Sequence, residues 1–256
     1  MRKIMNGLKD KTLIVTGAGG GIGSALAVEL AGEGVRLVLN GRNQAKLESV
    51  AAQCRNAGVE VDLLAGSAAS RRIADELVDM AIRMEYFSGF IHAAGVLNPG
   101  PFLWELNDGQ FHEVFEASVE AGFQIARAAF PHLVDKGGGF AVFFGSGAAE
   151  MTLPGIGAYC AAKAAEEHLA RQLAAEAPSV TTFVFRPGIV DTPMVASATI
   201  ARGSAAGRLR REFSGYKDRG ELLSPVVPAR ALVSILKHDP GRFHGRVASW
   251  RDQPSR

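Results

Sequence analysis

A short aliphatic run followed at once by a cluster of glycines is the feature that most limits how this chain can fold. Residues 12–16 read TLIVT and lead directly into the sequence GAGGGIG. A continuous run of β-branched and aliphatic residues predicts a strand that is buried on both faces. The segment SALAVELAGEG that follows has helical composition, and Gly32 and Gly34 suit the end of a helix. Strand, glycine turn and helix form the first half of a βαβ unit.

The same alternation continues to the end of the chain and predicts an α/β fold. Further strands are expected at 35–40, 59–64, 87–95, 137–146, 180–188 and 245–250, with helices at 43–58, 71–84, 108–135, 157–177 and 228–243. Strands separated by helices of this length indicate a mostly parallel sheet that is covered on both faces. Because no linker or internal repeat divides the sequence, we expect a single domain over residues 1–256.

Two places depart from the regular alternation. Pro131 falls inside the helix expected over 108–135 and should kink that helix or end it early. Residues 191–225 show neither a strand nor a helix pattern, so we expect an irregular loop, and long loops often form lids or binding sites. This expected substrate loop is basic. Its cations either recognise an acidic substrate or are simply solvated, and they are Arg202, Arg208, Arg210, Arg211, Lys217 and Arg219.

Composition excludes several classes of protein. The chain has 28 Lys and Arg against 26 Asp and Glu, so no global charge marks a partner among nucleic acids or membrane surfaces. No stretch approaches the roughly 20 apolar residues that span a bilayer, and the TLIV run is too short for a signal-peptide core. Cys54 and Cys160 cannot build a disulfide framework, and the histidines lack HxxxH or HExxH spacing, so no metal site is expected. We expect a cytoplasmic protein.

The glycine cluster is the first candidate binding site. Glycines between a strand and a helix let the chain turn tightly and let the backbone approach a pyrophosphate, which the free N–H groups at the helix N-terminus then bind. The alternative is a purely structural turn. Because strand, turn and helix occur here in the required order, we favour a dinucleotide site. Its candidate residues are Gly17, Gly19, Gly20, Gly21, Ile22 and Gly23.

The end of the second predicted strand bears on which dinucleotide is bound. An acidic residue at this point would accept hydrogen bonds from the adenosine ribose, but the chain has Asn40, Gly41 and Arg42. No carboxylate there repels a 2′-phosphate, and the Arg42 guanidinium can bind one with a planar pair of hydrogen bonds. We therefore favour NADP(H) over NAD(H). The alternative is a solvated arginine in a loop.

Tyr159 and Lys163 form a candidate acid/base pair. If the Ala-rich run AYCAAKAAEEHLARQLAAEA is helical, positions i and i+4 lie on one face about 6 Å apart. A nearby ammonium favours the phenolate, so the tyrosine can exchange a proton closer to neutral pH. An isolated YxxxK pattern arises easily by chance, and its meaning depends on the motifs upstream.

Taken together, the motifs resemble those of the short-chain dehydrogenase/reductase family across essentially the whole chain. They are TGAGGGIG at 16–23, HAAG at 92–95, Ser146 thirteen residues before Tyr159, YCAAK at 159–163 and RPGIVDTP at 186–193. The resemblance implies a Rossmann-type, doubly wound sheet of about seven parallel strands in the order 3-2-1-4-5-6-7. It also implies hydride transfer between a nicotinamide and a ketone or secondary alcohol, with catalysis by Ser146, Tyr159 and Lys163.

The resemblance assigns further roles residue by residue. Ser146 would hold the substrate oxygen, Tyr159 would give or take the proton, and Lys163 would hold the nicotinamide ribose. Thr192 matches the position that contacts the carboxamide, and Ile189 matches the position that backs the nicotinamide ring. The remaining positions implied to lie against the cofactor are Ala93, Ala94, Gly95, Pro187 and Gly188.

Three positions depart from the family pattern. HAAG stands where the family usually has Asn-Asn-Ala-Gly, so His92 and Ala93 replace two asparagines. Ser118 stands where an Asn commonly holds a water beside the lysine, and a hydroxyl has a shorter reach and fewer donors. Ser67 stands where an Asp often contacts adenine. The departure at Ser118 leaves open an NADP-binding sensor or regulatory protein with weak or no catalysis. Epimerase or dehydratase chemistry on a nucleotide sugar usually accompanies a longer C-terminal region.

The sequence says less about the oligomeric state and about the substrate. The resemblance implies a homodimer or homotetramer, with contacts through the helices near 110–134 and 157–177, whose small apolar residues suit close packing. The substrate is expected to be a small carbonyl compound or alcohol, and no motif in 191–225 identifies it.

Overall fold

Seven strands form one parallel sheet in the computed structural model, which describes residues 7–252. In chain order they are β1 (Thr12–Thr16), β2 (Arg36–Gly41), β3 (Val61–Ala65), β4 (Phe87–His92), β5 (Gly139–Phe144), β6 (Val180–Arg186) and β7 (Val247–Ser249). Their order across the sheet is β3-β2-β1-β4-β5-β6-β7, and every pairing is parallel. The predicted fold class and strand order are confirmed.

Nine α-helices connect or follow these strands within residues 7–252. They are α1 (Gly21–Gly32), α2 (Gln44–Arg55), α3 (Arg71–Arg83), α4 (Asp108–Phe115), α5 (Ala121–Lys136), α6 (Gly157–Glu176), α7 (Pro193–Thr199), α8 (Ala206–Asp218) and α9 (Val226–His238). Short 3₁₀ turns lie at Leu103–Glu105, Gly147–Ala149 and Pro240–Phe243.

Alternate residues of each strand supply two separate cores, one on each face of the sheet. On β1, Leu13 and Val15 pack with α1, α2 and α9, whereas Ile14 packs with α3 and α5 on the opposite face. Successive side chains of a strand point to opposite faces, so a strand buried on both faces must be apolar throughout. All five residues of β1 are buried, as the TLIVT run predicts.

The long helix expected over 108–135 is divided by a π-helical turn. Residues Glu116–Glu120 form this π-turn between α4 and α5. Pro131 lies inside α5 without ending it, and the helix continues to Lys136, so the expectation of an early end is wrong. Pro131 is exposed, whereas Phe130 and Leu133 beside it are buried, so packing of the inner face holds the helix together. The helix ends at Gly137, whose φ of 85° suits glycine.

The stretch 191–225 is more regular than its sequence suggests. It contains α7 and α8, so the expectation of irregular structure throughout is wrong. Thr192 caps α7 by accepting a hydrogen bond from the Val195 N–H, and Pro193 occupies the first helical position. Leu209 of α8 is buried with Ala198 of α7 in a separate small core, to which Leu97, Leu153 and Ile156 also belong. Only the segments between and after these helices are loops.

No helix in the part of the chain that the structure describes is both long enough and apolar enough to cross a membrane. Cys54 and Cys160 are free thiols, the first buried and the second half-buried. The N-terminal residues 1–6, on which part of the signal-peptide argument rests, lie outside the described residues.

Candidate active site

A cavity of about 370 Å³ opens at the carboxyl ends of β1 to β4. In a doubly wound sheet this is the edge at which ligands bind, beside the point where the strand order reverses. Most of the predicted cofactor residues line it. They are Gly17, Gly19, Gly20, Gly21, Ile22, Gly23, Asn40, Arg42, Ser67, Ala93, Ala94, Gly95 and Thr192.

Two glycines of the first turn have no room for a side chain. Gly17 has a φ of 68°, and a Cβ atom there would lie 2.7 Å from the backbone of Ala93 and Ala94. A Cβ atom on Gly23 would overlap the carbonyl oxygen of Gly17. The turn is therefore packed directly against the loop after β4 and against the start of α1.

The start of α1 presents backbone donors to this cavity. The backbone N–H of Ser24 donates to the carbonyl of Gly20, four residues earlier. The N–H groups before it, in the first turn of α1, have no carbonyl partner four residues earlier within the helix. Gly20, Gly21 and Ile22 border the cavity. The two glycines have no side chain that would block an anion. Free N–H groups at a helix N-terminus can bind an anion such as a pyrophosphate.

The end of the cavity beside Arg42 has cations and no acid in its lining. Arg42 and Lys46 line it, and none of the described residues that line this cavity is an aspartate or glutamate. The Arg42 guanidinium donates to Glu113 Oε1 at 2.9 Å, and the two side chains are 65% and 40% exposed. The hydrogen bond from Arg42 lowers the pKa of the Glu113 carboxyl. Arg42 is thus held at the mouth of the cavity by an exposed partner that an anionic ligand can replace.

Asn40 and Ser67 line the same end but are already hydrogen-bonded. The Asn40 amide donates to the carbonyls of Leu64 and Gly66 at 2.9 and 3.2 Å, which ties β2 to the end of β3. Ser67 donates to Glu116 Oε1 at 2.7 Å. Asn40 therefore shapes the wall of the cavity, and its amide hydrogens are not directed at a ligand.

Tyr159 and Lys163 lie together on α6, as their spacing predicts. The Lys163 ammonium is 5.8 Å from the centre of the Tyr159 ring. Lys163 is 3% exposed, and its Nζ donates to the Phe144 carbonyl at 2.8 Å and to Glu166 Oε2 at 2.7 Å. Burial disfavours the charged lysine, but attraction to Glu166, Tyr159 and Glu167 together, with the hydrogen bond to Glu166, outweighs burial and raises the pKa of Lys163. A buried ammonium beside a half-buried phenol can promote proton transfer by the phenol.

Ser146 follows β5 and is fastened to the same helix through its backbone. It has an extended conformation at the start of the 3₁₀ turn, and its hydroxyl accepts from the Ala148 N–H at 3.2 Å. Its own N–H donates to Glu167 Oε1 at 3.2 Å. Glu167 is in turn held by Arg186 of β6, which donates to both carboxylate oxygens at 2.8 and 2.7 Å. The three candidate catalytic residues are therefore connected through α6, although none of them is among the residues that line the cavity.

Comparison with known proteins identifies the family to which this geometry belongs. A family model described as short chain dehydrogenase matches residues 11–202. The chain belongs to the short-chain dehydrogenase family. Members of this family are oxidoreductases that use NAD(P)(H) and act on small molecules.

Individual relatives agree with this assignment. An uncharacterized oxidoreductase of Schizosaccharomyces pombe is 28% identical over 247 residues, which cover 94% of this chain and 97% of the relative. A 1-deoxy-11-beta-hydroxypentalenate dehydrogenase of Streptomyces exfoliatus is 32% identical over 202 residues, with coverage of 77% and 74%. The crystal structure of a short-chain dehydrogenase/reductase from Saccharomyces cerevisiae superposes with a TM-score of 0.84 at 26% identity, covering 94% of this chain and 96% of that one.

This short-chain dehydrogenase carries a buried histidine in the HAAG motif. His92 is fully buried, and its Nδ1 lies 2.8 Å from the Thr16 hydroxyl while its Nε2 lies 2.9 Å from the Ser118 carbonyl. Because a carbonyl can only accept, Nε2 carries the hydrogen and the threonine hydroxyl donates to Nδ1. Burial lowers the pKa of His92 to about 3, so the ring is neutral. His92 thereby joins β1 and β4 to the π-turn.

Ser118 lies in that π-turn. It is the residue that the sequence predicts to be a polar neighbour of Lys163. Its hydroxyl is buried and, among the described residues, has no hydrogen-bond partner. A Cβ atom built on Gly95 would be 3.9 Å from this hydroxyl and 3.8 Å from Lys163 Nζ. The hydroxyl and the ammonium therefore border the same space beside Gly95.

The structure does not bring the PGI segment of this short-chain dehydrogenase to the cavity wall. Pro187, Gly188 and Ile189 are not among the residues that line the cavity. A Cβ atom on Gly188, whose φ is 82°, would lie 2.6 Å from the Trp250 indole nitrogen, so this turn packs against the chain after β7. Of the motif, Thr192 and Pro193 reach the cavity.

Several residues at the site have roles that the sequence reasoning missed. Met194, Lys46 and Ala117 line the cavity. Glu166 and Glu167 are buried beneath Lys163 and Ser146, although two adjacent glutamates in an Ala-rich helix suggest an exposed face. Their spacing from Lys163, at i+3 and i+4, is the signal that places them on its side of the helix. Within residues 7–252, no group of three or more His, Cys, Asp or Glu side chains is arranged to hold a metal ion.

Proposed function

We propose that this short-chain dehydrogenase is an NADP(H)-dependent enzyme that transfers a hydride between the nicotinamide and a ketone or secondary alcohol. The observation that carries the proposal is the buried Lys163 ammonium, which lies 5.8 Å from the Tyr159 ring and donates to the carbonyl of Phe144, a residue that lines a cavity with no acid in its lining. The bound nicotinamide dinucleotide supplies or accepts the hydride.

The chain's own residues handle the proton and the substrate oxygen. Tyr159 donates a proton to the carbonyl oxygen in reduction and removes it from the alcohol in oxidation. Ser146 offers a second hydrogen bond to that oxygen, and its turn is fixed by the N–H bond to Glu167. Two donors of Lys163 are used by Phe144 and Glu166, which leaves its third for the ribose or for the phenol oxygen. We assign reprotonation to Ser118, whose hydroxyl borders the space beside Gly95.

The preference for NADP(H) is part of the proposal and rests on charge. A 2′-phosphate adds negative charge beside Arg42 and Lys46, where the cavity lining offers no opposing carboxylate. Arg42 forms an ion pair with Glu113, and both side chains are exposed. A phosphate can therefore replace the Glu113 carboxylate as the partner of Arg42 with little cost in desolvation. A planar guanidinium can bind a phosphate with two parallel hydrogen bonds.

We also propose a cellular location, an oligomeric state and a class of substrate. We place the enzyme in the cytoplasm as a homodimer or homotetramer, with contacts through α4, α5 and α6. Residues 191–225, which include α7 and α8, would cover the substrate, a small carbonyl compound or alcohol. Met194 reaches the cavity from α7, which supports this placement.

NADPH oxidation measured across a set of ketones and aldehydes tests the proposal. We expect turnover with at least one carbonyl compound, a preference for NADPH over NADH, and loss of turnover in Tyr159→Phe. NADPH affinity measured by calorimetry should be nearly unchanged in that variant. Full activity of Tyr159→Phe would contradict the assignment. NADPH binding without oxidation by any carbonyl compound would instead favour a cofactor-binding sensor or regulatory protein.

A further inference from the structure

A further ionisable group, Glu166, is buried next to Lys163 of the proposed acid/base pair. The side chain of Glu166 is 0% exposed and that of Lys163 is 4% exposed, with Oε2 and Nζ 2.7 Å apart. The other carboxylate oxygen, Oε1, lies 3.8 Å from His92 Nε2 and, among the described residues, has no hydrogen-bond partner. A carboxylate is costly to bury, so its place in the core calls for a reason beyond packing.

The groups around Glu166 favour its charged form. Lys163 presents N–H donors, and the neutral His92 ring presents Nε2–H, which it donates to the Ser118 carbonyl. A protonated carboxyl would need an acceptor, and neither of these groups supplies one. Burial raises the pKa of the Glu166 carboxyl to about 7 against the attraction of Lys163, so the carboxylate is the prevailing form above neutral pH.

The other charged groups nearby are occupied by partners of their own. Glu167 binds Arg186 of β6 and Arg171 of α6, and Arg186 also binds Glu150 beside the 3₁₀ turn. His92 of β4 is neutral. Among the described carboxylates, only that of Glu166 therefore forms an ion pair with Lys163. The other titratable group that faces the ammonium is the phenol of Tyr159.

We propose that the Glu166 carboxylate offsets the charge of Lys163 and thereby raises the pH at which Tyr159 ionises, which favours carbonyl reduction over alcohol oxidation. This inference rests on the proposed function. An uncompensated ammonium would favour the phenolate, whereas a paired one favours it less. Glu166 thus acts through Lys163 and needs no contact with the substrate.

The protonated phenol is the form that reduction consumes. In that direction the carbonyl carbon gains a hydride from the bound reduced cofactor, its C=O π bond breaks, and its oxygen takes the Tyr159 proton. The cofactor is oxidised, the ketone becomes an alcohol, and the phenolate regains a proton from solvent. Oxidation instead requires the phenolate at the outset, so raising the pH at which Tyr159 ionises favours reduction near neutral pH.

Tyrosinate absorbance measures this effect without any substrate. The chain contains three tyrosines, so a Tyr86→Phe, Tyr216→Phe background leaves Tyr159 as the only phenol. In that background Glu166→Gln removes one charge seven residues from Tyr159, about 10 Å along the helix, which corresponds to a shift of about one pH unit at an effective dielectric constant of about 20. We expect the midpoint of the titration to fall by about that amount.

Matched variants separate charge from packing. Glu176→Gln makes the same change on the exposed end of α6 and should leave the midpoint unchanged. Glu166→Met has a similar volume and no charge, so it should lower the midpoint as Glu166→Gln does. An unchanged or raised midpoint in the folded Gln or Met variant would overturn the role of Glu166. Failure of the wild-type chain to oxidise NADPH with any carbonyl compound would overturn the proposed function instead, without changing the titration result.

Discussion

The backbone N–H of Ser146 donates to the Oε1 atom of Glu167 at 3.2 Å, across 21 residues of sequence. The same carboxylate binds Arg186 through both of its oxygens and Arg171 through one. Glu167 is 1% exposed, so it holds the turn of Ser146 from beneath and connects that turn to β6 and α6. The position of the proposed substrate-binding hydroxyl therefore depends on a residue that has no contact with the cavity.

Glu167→Gln should lower kcat/KM about tenfold and the free energy of unfolding by about 2–3 kcal/mol. The amide still accepts from Ser146, but it leaves Arg186 without its bidentate partner in a partly buried place, which is the costly way to break an ion pair. Steady-state NADPH oxidation and urea unfolding check both effects. Glu176→Gln is the control, since that glutamate is exposed on the same helix. Wild-type stability in Glu167→Gln would show that the pair contributes nothing.

Much of the fold could be predicted because its signals are local. The TLIVT run is buried throughout and most of the strands after it carry runs of aliphatic or aromatic residues. Right-handed crossovers leave few arrangements for parallel strands joined by helices. The 5.8 Å approach of Lys163 to the Tyr159 ring follows directly from helical spacing. The cavity lining by the glycine turn follows from its place between β1 and α1.

The features that could not be predicted depend on contacts between distant segments. His92 and Ser118 are 26 residues apart and meet through a π-turn for which the sequence gives no pattern. Glu167 is buried because Arg186, 19 residues later, packs against it, whereas helical composition alone suggests an exposed glutamate. The helix α7 was missed although a threonine followed by a proline, at 192 and 193, is a recognisable helix start. Small and polar residues around it concealed that signal.

Gly17→Ala should destabilise the chain by about 2–3 kcal/mol and abolish binding of the dinucleotide. Its φ of 68° costs an L-residue about 1–2 kcal/mol, and the new methyl group would lie 2.7 Å from the backbone of Ala93 and Ala94. Relieving that overlap must move the turn that forms the proposed pyrophosphate site. Thermal unfolding and NADPH titration by fluorescence check the two effects.

Gly32→Ala provides the matched control. Gly32 ends α1, has nothing within 4 Å of its Cβ position and has no strained φ. The substitution should be neutral or stabilise the chain by up to about 1 kcal/mol, because alanine is the better helix former. Equal losses in the two variants would mean that the contact between Gly17 and the loop after β4 does not matter.

Arg42→Ala should weaken NADPH binding about tenfold and leave NADH binding nearly unchanged. The proposed contact is a charge-assisted hydrogen bond to the 2′-phosphate, which at an exposed site contributes about 1.5 kcal/mol. Glu113→Gln should have the opposite effect and tighten NADPH binding a few fold, because it releases Arg42 from its 2.9 Å ion pair. Dissociation constants for both cofactors, measured at low and high salt, check these directions.

Arg72→Ala is the control for the cofactor preference, since Arg72 is exposed on α3 and pairs with Glu76. It should leave both dissociation constants unchanged. An equal loss of NADPH and NADH affinity in Arg42→Ala would place the arginine against a part of the dinucleotide that the two cofactors share, and the preference for NADP(H) would then be wrong.

His92 should make the stability of this chain fall as the pH decreases below about 6.5. The unfolded chain binds a proton on histidine near pH 6.5, whereas burial lowers the pKa of His92 in the folded chain to about 3. Between these values the unfolded state holds more protons, so the free energy of unfolding rises with pH and is lost as the pH falls. At pH 5 the contribution of this one group to the loss is about 2 kcal/mol.

His92→Gln should remove that pH dependence while lowering stability at neutral pH. The amide cannot reproduce both the bond from Thr16 and the bond to the Ser118 carbonyl, which lie on opposite ring nitrogens. Urea unfolding at pH 8, 6.5 and 5 gives the slope for each chain, and His168→Gln, a change at an exposed histidine of α6, should keep the wild-type slope. A wild-type slope in His92→Gln would mean that other buried groups cause the loss of stability in acid.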